Sequence, residues 1–221
     1  MDNPPTTTPP RLPPTAYQHT ITTMPNSIWS SDRLVYRALE SDDDAIIQAT
    51  LSNAEDYLSY STAVPQPISS THAKDTASSA ANLPLACIVC LADAAQTPIG
   101  YAMLFSGRRY MRPPHNGAVE IGLILQREYQ GCGYGTEVLL WLLEWCFRHA
   151  NYRRVEITAS EHNTGAIRLY EKLGFRTEVV SRGEYWHMGR YWDGVEMAIG
   201  REEWRERYWA PSSSPGGIKA G

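Results

Sequence analysis

The sequence is poor in cysteine, has no long apolar run and carries no excess of positive charge. Each shortage removes a class of function. Four cysteines in 221 residues are few, and a reduced, cytoplasmic setting is the simplest expectation. Cys87 and Cys90 form C-x-x-C, but they lie in Leu85-Ala86-Cys87-Ile88-Val89-Cys90-Leu91-Ala92, which reads as a buried strand. A redox dithiol belongs at a helix N-terminus, and a zinc site needs a second pair of ligands, so core packing is expected here. No apolar run approaches the ~18 residues of a membrane-spanning helix. A net charge of −4 leaves no footprint for nucleic acid. The N-terminus lacks the charged start and apolar core of a signal peptide. Arg11 is the sole arginine before residue 28, so a mitochondrial leader is not expected either.

What is present is enough for one ordinary domain with tails, since 43% of the residues are apolar. Residues 1–27 are rich in Pro and Thr and read as a disordered tail. Residues 28–210 read as the folded domain and 211–221 as a flexible tail. No internal repeat is apparent.

Along the domain, Leu34 to Ala38 reads as a strand. Ser41 with Asp42, Asp43 and Asp44 then caps a helix to about Ser52, so the acidic run reads as a helix start rather than a metal site. Residues 53–82 are broken by Pro65, Pro67 and several serines, with a short helix expected over 72–82. Residues 85–92 and 99–105 form a hairpin, and 106–116 is a polar loop carrying Arg108, Arg109 and Arg112. Residues 154–159 alternate as a strand, 177–187 and 191–199 are two late strands, and 201–208 is a short helix. Strands and helices in this order predict a mixed α/β domain in three layers, with a mostly antiparallel sheet.

Two stretches carry the chemistry. The first is Gln126-Arg127-Glu128-Tyr129-Gln130-Gly131-Cys132-Gly133-Tyr134-Gly135-Thr136. Before it, Ala118 to Leu125 alternates as a strand. After it, Leu139, Leu142, Leu143, Cys146, Phe147 and Ala150 follow helical spacing to about residue 150. Three glycines therefore enter a helix N-terminus. That place offers unpaired N–H groups and partial positive charge, and the glycines admit a bulky anion such as a diphosphate. A plain tight turn is the rival reading. The nucleotide P-loop does not fit, because Thr136 and Glu137 follow Gly135 in place of Lys and Ser/Thr. The dinucleotide fingerprint fails on spacing, since the sequence is G-x-G-x-G. Cys132, near the helix start, is a candidate reactive thiol with no catalytic assignment.

The second stretch is Asn163-Thr164-Gly165-Ala166-Ile167-Arg168-Leu169-Tyr170-Glu171-Lys172-Leu173-Gly174-Phe175. It reads as a helix closed by Gly174. Asn163 and Tyr170 stand two turns apart, about 10.5 Å along one face, so both can line one groove.

Together the stretches resemble the GNAT superfamily of N-acetyltransferases. Gln130, Gly133 and Gly135 match its Gln/Arg-x-x-Gly-x-Gly/Ala loop. Residues 163–175 fill every position of Asn-x-x-Ala-hydrophobic-x-Leu-Tyr-x-x-Leu-Gly-Phe. The resemblance covers roughly residues 34–199. It leans toward the ribosomal-protein-alanine and spermidine acetyltransferase-like branches, through the 169–175 ending and Tyr191-x-Asp193-Gly194-Val195-Glu196-Met197. It implies a three-layer fold with a central twisted sheet of six or seven strands and helices on both faces. The strands at Ala118 and Arg154 should splay to admit acetyl-coenzyme A.

It also implies roles. Leu123, Ile124 and Leu125 would offer backbone groups to the pantetheine arm. Gln130 and residues 131–136 (Gly131, Cys132, Gly133, Tyr134, Gly135, Thr136) would hold the diphosphate. Asn163 would bond the pantetheine amide, and Tyr170 would line the donor site and protonate the departing thiolate. A phenol with pKa near 10 stays protonated at neutral pH and suits that role. No Ser-His-Asp or Cys-His set is apparent, in keeping with the direct attack of the amine on the thioester that the resemblance implies. The acceptor that the resemblance implies is a primary amine, on a small molecule or a peptide, which would first have to lose a proton. At pH 7 only about one lysine-type amine in 2,500 is neutral. Glu120 and Glu156, on the two splayed strands, are the candidate bases, with Glu120 preferred and no single base as the remaining alternative. Tyr57, Tyr60, Tyr185, Trp186, Tyr191 and Trp192 could line the acceptor pocket, with Glu184, Asp193 and Glu196 as anions for a cationic amine. His115, His149, His162 and His187 show no ligand spacing, so no metal is expected. Monomer and homodimer both remain open. A non-catalytic acyl-CoA-binding or regulatory module is the alternative, and the intact Asn163 and Tyr170 weigh against it.

Overall fold

Residues 27–40, 42–52, 67–80, 82–106 and 117–209 are described by a computed structural model. Ser41, Tyr57, Tyr60, Arg108, Arg109, Arg112, His115 and most of both tails lie outside the described residues.

Seven strands form one sheet in the order β1-β2-β3-β4-β5-β7-β6. They are β1 (Leu34–Ala38), β2 (Leu85–Leu91), β3 (Pro98–Phe105), β4 (Ala118–Leu125), β5 (Arg154–Ser160), β6 (Arg176–His187) and β7 (Arg190–Gly200). Among the described residues five α-helices accompany them: α1 (Asp44–Ser52), α2 (Ser70–Ala80), α3 (Tyr134–Glu144), α4 (Thr164–Leu173) and α5 (Arg201–Tyr208). Every neighbouring pair of strands is antiparallel except β4 and β5.

Strand alternation divides the buried residues between two faces. On one, Val119, Ile121, Val155, Ile157, Met197 and Ile199 pack with α3 residues Val138, Leu139, Leu142 and Leu143 and with Trp204 of α5. On the other, Ile88, Cys90, Tyr101 and Met103 pack with Ile46 and Ile47 of α1 and Ala73 and Ala77 of α2. The alanines of α2 recur at i, i+4 and i+7 (Ala73, Ala77, Ala80), a small stripe that lets this polar helix pack closely.

Cys87 and Cys90 are three apart on a strand, so their side chains enter opposite cores. Burial pushes the Cys87 thiol up to about 12, as expected of packing residues rather than a dithiol. The acidic run opens α1, and it has a second task. Asp43 receives two bonds from Arg37, at 2.8 and 2.7 Å, and one from the Glu40 N–H at 2.9 Å. Burial alone would raise its carboxyl pKa; Arg37 and the Glu40 amide outweigh that and hold it low.

The long helix after the glycines is not uniform. α3 ends at Glu144 and continues as a π-helical turn over Trp145–His149, with the Ala150 N–H bonding the Trp145 carbonyl at 3.0 Å.

Candidate active site

The site begins where β4 and β5 part. They pair in parallel over four positions, Ala118 to Ile121 against Arg154 to Ile157. β4 then runs on to Leu125 and β5 to Ser160 without pairing each other. Two parallel strands that separate leave backbone groups facing a gap. The Gln126 N–H bonds the Ile99 carbonyl of β3 at 2.8 Å. By alternation Ile124 and Gly122 also turn toward β3, while Leu123 and Leu125 turn toward the gap. Of the three backbone candidates, Leu123 and Leu125 therefore face the opening and Ile124 does not. The Leu125 carbonyl already accepts a bond from the Gln130 side chain at 2.9 Å, which folds the loop back onto the strand.

At the mouth of the gap the chain makes a short 3-10 turn, Arg127–Tyr129, then the glycine loop. Gly131 and Gly133 hold φ of +69° and +86°, a region that L side chains avoid. A Cβ on Gly131 would meet nothing within 4 Å, so the loop is open there. Gly133 is the N-cap of α3 and offers no capping side chain. The first helical bond is donated by Glu137, to the Gly133 carbonyl at 3.2 Å. The N–H groups of Tyr134, Gly135 and Thr136 precede it, the arrangement an oxyanion requires. Gly135 sits over Leu169 of α4, where a Cβ would make ordinary contact at 3.6 Å. The Tyr134 ring is buried between Tyr129 and Arg33, so this residue can offer only its backbone to a ligand. Cys132 is buried too, at 7% exposure, with its sulfur 3.5 Å from the Gln130 carbonyl. Packing beneath the loop removes it as an accessible thiol.

Asn163 caps α4, its side-chain oxygen accepting the Ala166 N–H at 3.1 Å. The NH₂ of the same side chain remains to donate. Tyr170, two turns on, is 8% exposed and packs against Phe175.

The opposite face of the sheet is acidic. In register, Glu120 stands beside Glu156, Thr158 beside Glu196, and Ser160 beside Gly194, all on the face away from α3 and α4. Thr158 donates to Glu120 at 3.2 Å, and Ser181 reaches Glu196 at 3.5 Å. The Glu184 carboxylate lies over Gly194, where a Cβ would overlap it. The two candidate bases differ in their surroundings. Glu156 is paired with Arg154 at 2.8 Å, and Arg154 also holds Glu178. Glu120 is half-buried beside a hydroxyl.

The acceptor candidates divide as well. Tyr185 is buried and pairs with Trp192 across the β6–β7 hairpin. Trp186 and Tyr191 form the next cross-strand pair, so they take the other face; there they are 59% and 66% exposed and meet edge to face. Asp193 is tied into the bulged segment of β6 by accepting the Gly183 N–H at 2.9 Å.

One group was missed in the sequence. The His162 and His187 rings stack at 4.5 Å, with Trp192 at 5.4 Å from His162. His162 Nδ1 is 2.6 Å from Ser160 Oγ. Burial, then the neighbouring His187, lowers the His162 pKa and favours a neutral ring. No spacing rule joins two histidines 25 residues apart; only the position of His162 just before the Asn163 cap could have drawn attention to it.

With this geometry in place, comparison with known proteins is decisive on family. Residues 33–176 match the family model described as the acetyltransferase (GNAT) domain. The chain belongs to the GNAT family. It is 35% identical over 88 residues to a prophage-derived uncharacterized N-acetyltransferase of Bacillus subtilis (strain 168), covering 40% of this chain and 50% of that protein. It is 29% identical over 97 residues to the spermidine N(1)-acetyltransferase of Escherichia coli (strain K12), covering 44% and 50%. The chain thus spans about half the length of the curated relatives it matches. Among solved structures, a Vibrio cholerae spermidine N-acetyltransferase in complex with CoA and spermine superposes with TM-score 0.67 at 24% identity, covering 79% of this chain and 99% of that one. A GNAT-family acetyltransferase from Bacillus anthracis gives 0.65 at 21%, covering 78% and 98%. The GNAT fold expected from the two motifs is therefore present: seven strands, mostly antiparallel, with helices on both faces.

Proposed function

We propose that this chain is an acetyl-CoA-dependent N-acetyltransferase that transfers acetyl directly to a primary amine, with a polyamine-type amine favoured as acceptor. The observation that carries this reading is the β4–β5 gap. It has a glycine-lined helix N-terminus at its mouth and a row of carboxylates on the far face. An anionic donor and a cationic acceptor would meet there from opposite sides of one sheet.

In this reading the N–H groups of residues 131–136 hold the diphosphate, and Gln130 fixes the loop. The Leu123 backbone borders the pantetheine arm and supplies an N–H to the developing oxyanion. The Asn163 NH₂ bonds the pantetheine amide. The Tyr170 phenol protonates the departing sulfur. Glu120, Glu184 and Glu196 attract the ammonium. Holding a lysine-type amine neutral at pH 7 costs about 4.6 kcal/mol, so a proton acceptor matters. Glu120 is the proposed one, on β4 where the two strands begin to part and with the Thr158 hydroxyl donating to it. A single ternary complex suffices, in a monomer or a homodimer, in the reducing cytoplasm.

The test is thiol release from acetyl-CoA across a panel of amines. Spermidine and spermine should turn over with higher kcat/KM than monoamines of similar length. Donor binding without turnover on any amine would instead mark a non-catalytic acyl-CoA module.

A further inference from the structure

The glycine loop is gripped from outside by the segment before β1. Three donors converge on the Glu137 carboxylate: Ser31 Oγ at 2.7 Å, the Arg33 N–H at 2.7 Å and Arg33 Nε at 2.8 Å. The same guanidinium donates from another arm to the Cys132 carbonyl at 3.3 Å and lies 4.4 Å from the Tyr134 ring centroid. The segment is anchored further along α3. There Trp141 stacks on Tyr36 at 3.6 Å and donates to the Ile28 carbonyl at 2.8 Å.

This grip has two physical consequences. Glu137 stands in the first turn of α3, where a carboxylate complements the helix dipole. The same charge repels an anionic ligand arriving at that N-terminus. Arg33 cancels it, and the three donors draw it toward the β1 side. The second consequence follows from the planar peptide, whose C=O and following N–H lie on opposite edges. Pinning the Cys132 carbonyl to Arg33 turns the Gly133 N–H away from the strap.

We infer that Arg33 is a positioning residue for the donor's diphosphate, setting the Cys132–Gly133 peptide and neutralising Glu137 beside the loop. The inference rests on the acetyl-CoA reading above. It predicts opposite signs for the two partners of one ion pair, which a purely structural bridge does not.

The experiment compares Arg33→Gln, Arg33→Lys, Glu137→Gln and the double variant. Binding of acetyl-CoA is measured by titration calorimetry, and KM is measured for S-acetylpantetheine, which lacks the diphosphate. Arg33→Gln should weaken acetyl-CoA about tenfold and leave the S-acetylpantetheine KM unchanged. Arg33→Lys keeps the charge and loses the fork, so it should fall between wild type and Arg33→Gln. Glu137→Gln should bind acetyl-CoA about threefold more tightly, and the double variant should return toward wild type. Thermal melts identify any variant that fails to fold; the Lys and Glu137→Gln variants then carry the test. Equal losses on both donors, or a Glu137→Gln weakening as large as that of Arg33→Gln, would overturn the inference. A wild-type protein that ignores millimolar acetyl-CoA would instead overturn the donor reading on which it rests.

Discussion

Gly194→Ala isolates the acidic face from the donor site. Gly194 lies in β7 opposite Ser160, with an ordinary strand conformation, so alanine costs nothing in backbone terms. Its Cβ, however, would overlap a Glu184 carboxylate oxygen, come within 2.9 Å of Glu184 Cδ and lie 3.1 Å from the Tyr185 ring. The carboxylate must move, while a buried ring resists. Relieving such a clash costs about 1–3 kcal/mol, which for a domain of this size lowers Tm by roughly 2–4 °C per kcal/mol. The functional effect is larger in kind than in size. A carboxylate 4 Å from an ammonium is worth about 4 kcal/mol at an effective dielectric of ~20. For a half-buried, partly screened group about 1 kcal/mol survives, or roughly fivefold. Initial rates of thiol release should therefore show the spermidine KM rising about fivefold, with butylamine KM and acetyl-CoA affinity unchanged. Equal losses for both amines, or no loss for either, would refute the argument that Glu184 recognises a distal positive charge.

Three further outcomes are expected. Tyr170→Phe should lower kcat by about 10²–10⁴ while titration calorimetry shows acetyl-CoA affinity within about twofold of wild type; an unchanged kcat would remove the phenol from the acid role. Asn163→Ala removes both the α4 cap and the proposed pantetheine donor. It should cost about 1 kcal/mol of stability by denaturant melt, and weaken acetyl-CoA beyond that of a Gly165→Ala control. The His162 pKa is lowered in the fold, chiefly by burial, so its neutral form contributes stability at neutral pH. That contribution starts to be lost as pH falls below about 6.5 and continues to fall until the folded pKa is passed. The groups around the ring are Ser160, His187 and Trp192, with Arg190 over Trp192. Between pH 7.5 and 5.5 the wild-type Tm should drop more than that of His162→Gln, and parallel slopes would contradict this.

Most of the fold was written in local patterns. Asn163 and Gly174 bound α4 as their cap chemistry predicts, and the 118–125 alternation placed β4 and its two faces. The cysteine pair was legible for a simple reason: an odd spacing on a strand sends the thiols to opposite cores. What was not legible depends on long-range partners. The sequence places Glu120 and Glu156 on two splayed strands, but only the folded sheet pairs them, brings Glu178 to Arg154 and brings the Thr158 hydroxyl to Glu120. The His162–His187 stack depends on a break in register between Ser181 and Tyr185, which no residue pattern announces. The Arg33–Glu137 pair joins residues 104 apart in sequence. The π-helical turn at Trp145 leaves helical hydrophobic spacing nearly intact, so periodicity alone passes over it.

The central claim is direct acetyl transfer to an amine at the β4–β5 gap. Its most direct test is mass analysis of the acceptor after wild-type protein is incubated with acetyl-CoA and spermidine, alongside the Tyr170→Phe variant. The account predicts spermidine heavier by one acetyl group, formed in step with free CoA thiol and strongly reduced in the variant. Intact spermidine with acetyl-CoA bound but unconsumed would contradict it.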